Sequence, residues 1–236
     1  MSGSAGVSFK APTTLSRRAR LAVAVGVAAV VVVGAVLVVQ AGSADGSGYP
    51  GQAWRTDLLA PRGAALDPFD REGTPGEVTG FGTWQAVGGG WTVTDGVLES
   101  YAAAPSALHV GTSTDQVVVY AQVVAAMPGG GITIGAAGAG PDAVGLQLVV
   151  DAAGTGWQLE RVASDGRVVL ATFEAPTRHV AVQLARVGTK ATVTFEHLER
   201  TVAIPAGDQV GHSVGVVATS PGTAFDLLGY LPLAEG

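Results

Sequence analysis

Few side chains in this 236-residue chain stand at spacings that could do chemistry. Gly211-His212-Ser213-Val214-Gly215 has the G-x-S-x-G pattern, in which a serine on a sharp strand-to-helix turn becomes a nucleophile. Val216, Val217, Ala218 and Thr219 follow and read as a strand running on, so the match is read as chance. Glycoside cleavage needs two carboxylates about 5 to 9 Å apart across a sugar. Glu196 and Glu199 are three residues apart, on opposite faces of a strand, and Glu160 stands alone beside Arg161. His109, His179, His197 and His212 form no pair at metal-ligand spacing. Asp95, Asp115, Asp142 and Asp165 are the weak candidates for Ca2+, without a D-x-D-x-D-G run. The expected set of catalytic residues, metals and cofactors is therefore empty. Gly129-Gly131 and Gly138-Gly140 lack the third glycine and the helix of a nucleotide fingerprint.

Aromatic side chains offer binding rather than catalysis, because sugar faces stack on exposed rings. Trp84 and Trp157 are the candidates for that role, with core or rim packing as the leading reading. Trp91 opens a strand that ends at Asp95-Gly96, and its indole is expected to fill the space between sheets.

The elements that must position these residues are strands. From Phe69 onward short apolar runs alternate at period two between Gly, Pro and Asp. Val180, Val182 and Leu184 point one way against Ala181, Gln183 and Ala185, and Leu146, Leu148 and Val150 alternate with Gln147, Val149 and Asp151. Candidate strands run from Trp91 to Thr94, Val97 to Tyr101 and onward to Ala224 to Leu231, with turns at Thr94-Asp95-Gly96, Ala153-Gly154, Ser164-Asp165-Gly166 and Val187-Gly188-Thr189. No stretch after residue 41 keeps a helical period. The pattern predicts an all-β, two-sheet antiparallel jelly-roll sandwich.

The segments PFDRE at Pro68 to Glu72, GGWTVTDGVLES at Gly89 to Ser100, GGGITIGAA at Gly129 to Ala137, VGLQLVVD, WQLERV and the closing VGVVATSPGTAFDLLGYLP resemble the concanavalin A-like lectin/glucanase superfamily. Within it the chain is similar to laminin G-like and 3-keto-disaccharide hydrolase domains. The resemblance covers residues 68 to 232 and implies that a first strand of the FDR type lies beside the last, near Phe225-Asp226. The E-x-D-x-x-E string of the lectin-like glucanases does not occur. No active site is carried over.

Ahead of this domain, Leu21 to Val39 is a run of nineteen residues that are all Ala, Val, Leu or Gly. As a helix it would span about 28 Å, close to the hydrocarbon thickness of a bilayer. The run is longer than the core of a secretory signal, which favours a retained anchor, although Val39-Gln40-Ala41 offers small residues for cleavage. Lys10, Arg17, Arg18 and Arg20 precede it with no acidic residue, which keeps the N-terminus cytoplasmic. Beyond it nineteen acidic face nine basic side chains, a formal charge of −10. That charge excludes nucleic acid as a partner. The chain has no cysteine, so thiol nucleophiles, thiolate zinc sites and disulfides are excluded.

The expected organisation is a basic tail (residues 1–20), a transmembrane helix (21–41), a Gly/Pro/Ala-rich linker (42–67), the sandwich (68–232) and a short tail (233–236). Trp54 in the linker is read either as an interfacial aromatic or as an ordinary linker residue. The chain as a whole reads as a single-pass plasma-membrane protein of a bacterial envelope, its C-terminal domain extracytoplasmic. The leading function is a non-catalytic module that binds a glycan or an envelope protein. A structural component of an envelope complex and a sugar-processing hydrolase are the alternatives.

Overall fold

The computed structural model describes residues 63–137, 144–196, 198–205 and 211–233. The basic tail, the apolar span and the linker up to residue 62 lie outside them, and among the described residues no helix is long and apolar enough to cross a membrane. The described residues form strands β1 (Ala65–Asp67), β2 (Glu77–Val78), β3 (Gly82–Thr83), β4 (Gln85–Val87), β5 (Trp91–Thr94) and β6 (Val97–Ser100). Then follow β7 (Ser106–Gly111), β8 (Val117–Ala125), β9 (Gly131–Ala137), β10 (Val144–Val150), β11 (Trp157–Ala163) and β12 (Gly166–Phe173). The last five are β13 (Arg178–Val187), β14 (Lys190–Phe195), β15 (Leu198–Ala203), β16 (Ser213–Ala218) and β17 (Ala224–Pro232).

They build an eight-stranded sheet in the order β15-β14-β13-β8-β17-β6-β5, with β1 also on β17, and a seven-stranded sheet in the order β12-β11-β10-β9-β16-β7-β4. The β2-β3 hairpin stands apart from both, and every pairing is antiparallel. The described residues are thus all-β, as the period-two runs predict. The core lies between the sheets, where Ile132, Leu148 and Val216 of one meet Val119, Leu184 and Val193 of the other, all fully buried. Aromatic rings span the gap: Trp157 and Phe173 of the seven-stranded sheet pack on Phe195 of the eight-stranded one, with centroids 5.6 and 5.7 Å apart.

Turn chemistry sets the register where the sequence is explicit. Between β5 and β6, Asp95 (φ 51°) and Gly96 (φ 75°) are both left-handed, the requirement of a two-residue type I′ hairpin. Thr94 therefore pairs with Val97, and Trp91 with Ser100.

The first strand differs from expectation. PFDRE is not a strand beside Phe225-Asp226; β1 precedes it, within the segment expected to be linker, and pairs Ala65, Leu66 and Asp67 with Tyr230, Gly229 and Leu228. Asp67 is the reason. Its fully buried carboxylate accepts from the Phe69 N–H (3.0 Å), both Arg71 guanidinium nitrogens (2.6 and 2.8 Å) and the Trp84 indole N–H (2.7 Å). This turns the chain at Phe69, whose φ is 52°, so FDR folds back on the end of β1.

Candidate functional site

A strand with one face in the core presents alternate residues on the outside. In β10, Leu146, Leu148 and Val150 enter the core, leaving Gln147 and Val149 on the outer face of the seven-stranded sheet. The same alternation places Thr133 of β9 outside Ile132 and Ile134, His109 of β7 outside Leu108 and Val110, and Gln158 and Glu160 of β11 either side of Leu159. Pairing aligns these in one row, Gln85, His109, Gly215, Thr133, Gln147 and Glu160 being successive register partners. At about 4.8 Å between strands the row is ~24 Å long, the length of a short oligosaccharide.

Exposure is graded along it. Gln85 at one end and Arg167 beside the other are exposed, whereas His109, Thr133, Gln147 and Glu160 between them are buried. Buried polar groups must be partnered, and here the partners knit the row together. Arg167 Nη1 donates to Glu160 Oε2 (2.9 Å) and to Gln147 Oε1 (3.3 Å), Gln158 Nε2 donates to Glu160 Oε1 (2.7 Å), and Thr133 Oγ1 donates to the Leu146 carbonyl (3.0 Å). Alongside runs an apolar strip in which Ala107, Val149 and Val217 form a buried cluster separate from the main core. Gly131 and Gly215 lie in the middle of the face. A Cβ on Gly215 would sit 1.9 Å from the Leu108 carbonyl oxygen, and one on Gly131 2.0 Å from that of Leu148. Only glycine fits there, and the floor between His109 and Gln147 carries little besides the Thr133 side chain.

Because the middle of the row and its aliphatic strip are buried, the groups that a ligand meets on this face are those at its exposed ends, the Gln85 amide and the Arg167 guanidinium. Among the described strand residues of this face Glu160 is the one carboxylate, and both its oxygens are occupied. Among the described strand residues this face offers no second carboxylate for the acid and base pair of a glycosidase.

The residues singled out by sequence fall elsewhere. Trp84 is 5% exposed, bound through its N–H to Asp67 and packed on Phe81 (5.1 Å) and Phe69 (6.3 Å). Trp157 is 1% exposed, donates to the Pro176 carbonyl at 2.8 Å and packs on Phe195. Both lie in the main core, where a ring cannot serve as a stacking platform. Trp91, also buried, packs on Phe225. Ser213 opens β16, which continues to Ala218 without the helix a nucleophile elbow requires. Asp95 lies in a hairpin turn, Asp115 pairs with Arg186 and Asp165 with Arg161, both at 3.2 Å, and Asp142 lies outside the described residues. No group of three metal-ligating side chains occurs among the described residues. The row itself left one trace in the sequence, single polar residues such as Gln147 in VGLQLVV and Thr133 in GITIG.

No family model and no curated protein sequence matches the chain. Solved structures do. A prokaryotic β-1,3-1,4-glucanase (lichenase) derived from a mouse hindgut metagenome is 10% identical, with 72% of this chain and 99% of that one covered and a TM-score of 0.50. A mutant of the GH43 protein BlXynB from Bacillus licheniformis is 14% identical over 72% of this chain and 39% of that one, TM-score 0.53. The carbohydrate binding module CBM66 from Bacillus subtilis is 15% identical over 63% of this chain and 92% of that one, TM-score 0.47. The chain shares with the lichenase and the BlXynB mutant an antiparallel two-sheet sandwich fold. At such identities the likeness extends to the fold alone.

Proposed function

We propose that this protein is a membrane-anchored, extracytoplasmic lectin-like module that binds a glycan along the outer face of its seven-stranded sheet. The observation that carries the reading is the exposed Arg167 guanidinium, held by Glu160 and Gln147 at the edge of a face whose described strand residues include one carboxylate. The glucanase fold lends support, since lichenase, which shares it, acts on a β-glucan. Binding rather than hydrolysis is favoured by the state of Glu160, the one carboxylate among the described strand residues of the face, whose oxygens are held by Arg167 and Gln158. Anchoring and export rest on the nineteen-residue apolar run and on the basic residues that precede it.

The test is a glycan array on the full chain in detergent micelles, followed by calorimetry on the best ligand. Gln147→Ala and Arg167→Met are each expected to weaken binding about tenfold or more, the scale of one or two lost hydrogen bonds to a buried polar group. An array without any bound glycan overturns the reading. Reducing ends released from a bound glycan would move the chain to the hydrolases. Protease added to intact spheroplasts should remove the sandwich and spare the N-terminal tail.

A further inference from the structure

Among the described residues one aromatic ring stands out in solvent. Every described Phe and Trp is buried, as is Tyr120, and Tyr230 is half-buried with its hydroxyl donating to the Phe81 carbonyl at 2.7 Å. Tyr101 is 63% exposed. A lone exposed apolar side chain is ordinary on a protein surface. Tyr101 differs because the backbone around it is built to hold it there.

Tyr101 directly follows β6. Its N–H donates to the Gly90 carbonyl at 2.7 Å, which extends the pairing of Trp91 with Ser100 by one residue. Ala102 takes the space of the side chain that Gly90 lacks: a Cβ on Gly90 would stand 2.1 Å from the Ala102 Cβ, and one on Gly88 2.6 Å from the Pro105 carbonyl oxygen. Gly88, Gly89 and Gly90 have φ values of 81°, 70° and 86°, a run that residues with a Cβ rarely adopt. Both ends of the loop over 101–105 thus rest against a stretch that glycine alone can form, and the ring is presented on a fixed backbone.

Its neighbours follow from the register. Trp91 and Ser100 turn inward, at 3% and 1% exposure, so alternation places Thr92, Glu99 and Tyr101 on the outer side of the β5-β6 ribbon, at the edge of the eight-stranded sheet. Thr92 and Glu99 are direct partners, and Glu99 is exposed. Glu99 lies two residues from Tyr101 along the chain, a separation of ~7 Å in extended backbone and close to the width of one sugar ring. A ring face offers a surface for the C–H side of a pyranose, and a carboxylate accepts from its hydroxyls.

We propose that Tyr101, Glu99 and Thr92 form a sugar-stacking subsite on the rim of the eight-stranded sheet, apart from the face that carries Arg167. Its ligand is a neutral pyranoside, since Glu99 repels an anionic one. The inference rests on the preceding reading for the class of ligand alone. The residues are different, so each can fail by itself.

The test is a nuclear magnetic resonance titration of the full chain in detergent micelles with the oligosaccharide it binds best on a glycan array. The amide signals of Gly90 and Ala102 report on the rim, and the side-chain amide of Gln147 reports on the seven-stranded face. Both sets are expected to shift. Tyr101→Ala should weaken binding read at Gly90 about tenfold, while Tyr101→Phe, which keeps the ring, should stay within about twofold. Neither change should alter the Gln147 titration or the melting temperature, because the side chain is exposed. Shifts at Gln147 with none at Gly90 and Ala102 would overturn the rim subsite alone, as would Tyr101→Phe weakening binding as much as Tyr101→Ala. Shifts at the rim with none at Gln147 would support it and overturn the seven-stranded reading. An array without any bound glycan would overturn both.

Discussion

At the scale of single residues, the cost of each buried polar group depends on whether it is satisfied. Asp67 accepts four hydrogen bonds and its carboxylate, through the bond to Arg71, raises that guanidinium above arginine's ordinary range. Asp67→Ala would strand the Trp84 N–H and release the Phe69 turn, at about 3 kcal/mol read by urea unfolding. Ser106 is the converse case. It is 1% exposed and its hydroxyl has no hydrogen-bond partner among the described residues, so Ser106→Ala is expected to leave stability unchanged or raise it by up to about 1 kcal/mol. Tyr120 gives the pH dependence. Burial disfavours its phenolate and holds its pKa above the ordinary 10.0, so the fold keeps the proton that the unfolded chain releases. Its contribution is fully present below about pH 10 and declines above it, by up to ~1.4 kcal/mol per pH unit. Denaturant midpoints measured between pH 9 and 11 should show that slope, and Tyr120→Phe should flatten it.

At the scale of elements, strands with a clear alternation were legible and those without were not. VAVQLARV announces β13, and TDG announces the β5-β6 turn, because period and left-handed residues are local properties. The short β2, β3 and β4, two or three residues each, have no period to read. β1 was hidden because its partner, β17, lies some 160 residues away in sequence. The glycines of the central strands show the same divide. Gly215 looks like any of 35 glycines until β7 is laid against it, whereupon Gly215→Ala drives a methyl into the Leu108 carbonyl. That variant should lose about 3 kcal/mol or more and unfold at a markedly lower temperature in a calorimetric scan.

At the scale of the whole molecule, charge separates the ligand classes the proposed site would take. The chain beyond residue 41 is strongly acidic, and the Arg167 cation beside the polar row is paired with Glu160. An uncharged glycan is expected to bind with an affinity that changes no more than about twofold between 0.05 and 0.5 M salt, since neither partner carries net charge at the contact. A calorimetric titration at the two salt concentrations checks this, and a steep salt dependence would point to an ionic ligand.

The sequence by itself determined that the protein is built of paired strands, that it needs no disulfide, and that a long apolar run precedes the sandwich, because alternation, composition and run length are written in neighbouring residues. Only the tertiary structure decided that Trp84 and Trp157 belong to the core and that His109, Thr133, Gln147, Glu160 and Arg167 share one face. Which sheet a strand joins, and which residues then stand side by side, is fixed by hydrogen bonds between segments far apart in the chain, and no local pattern encodes those.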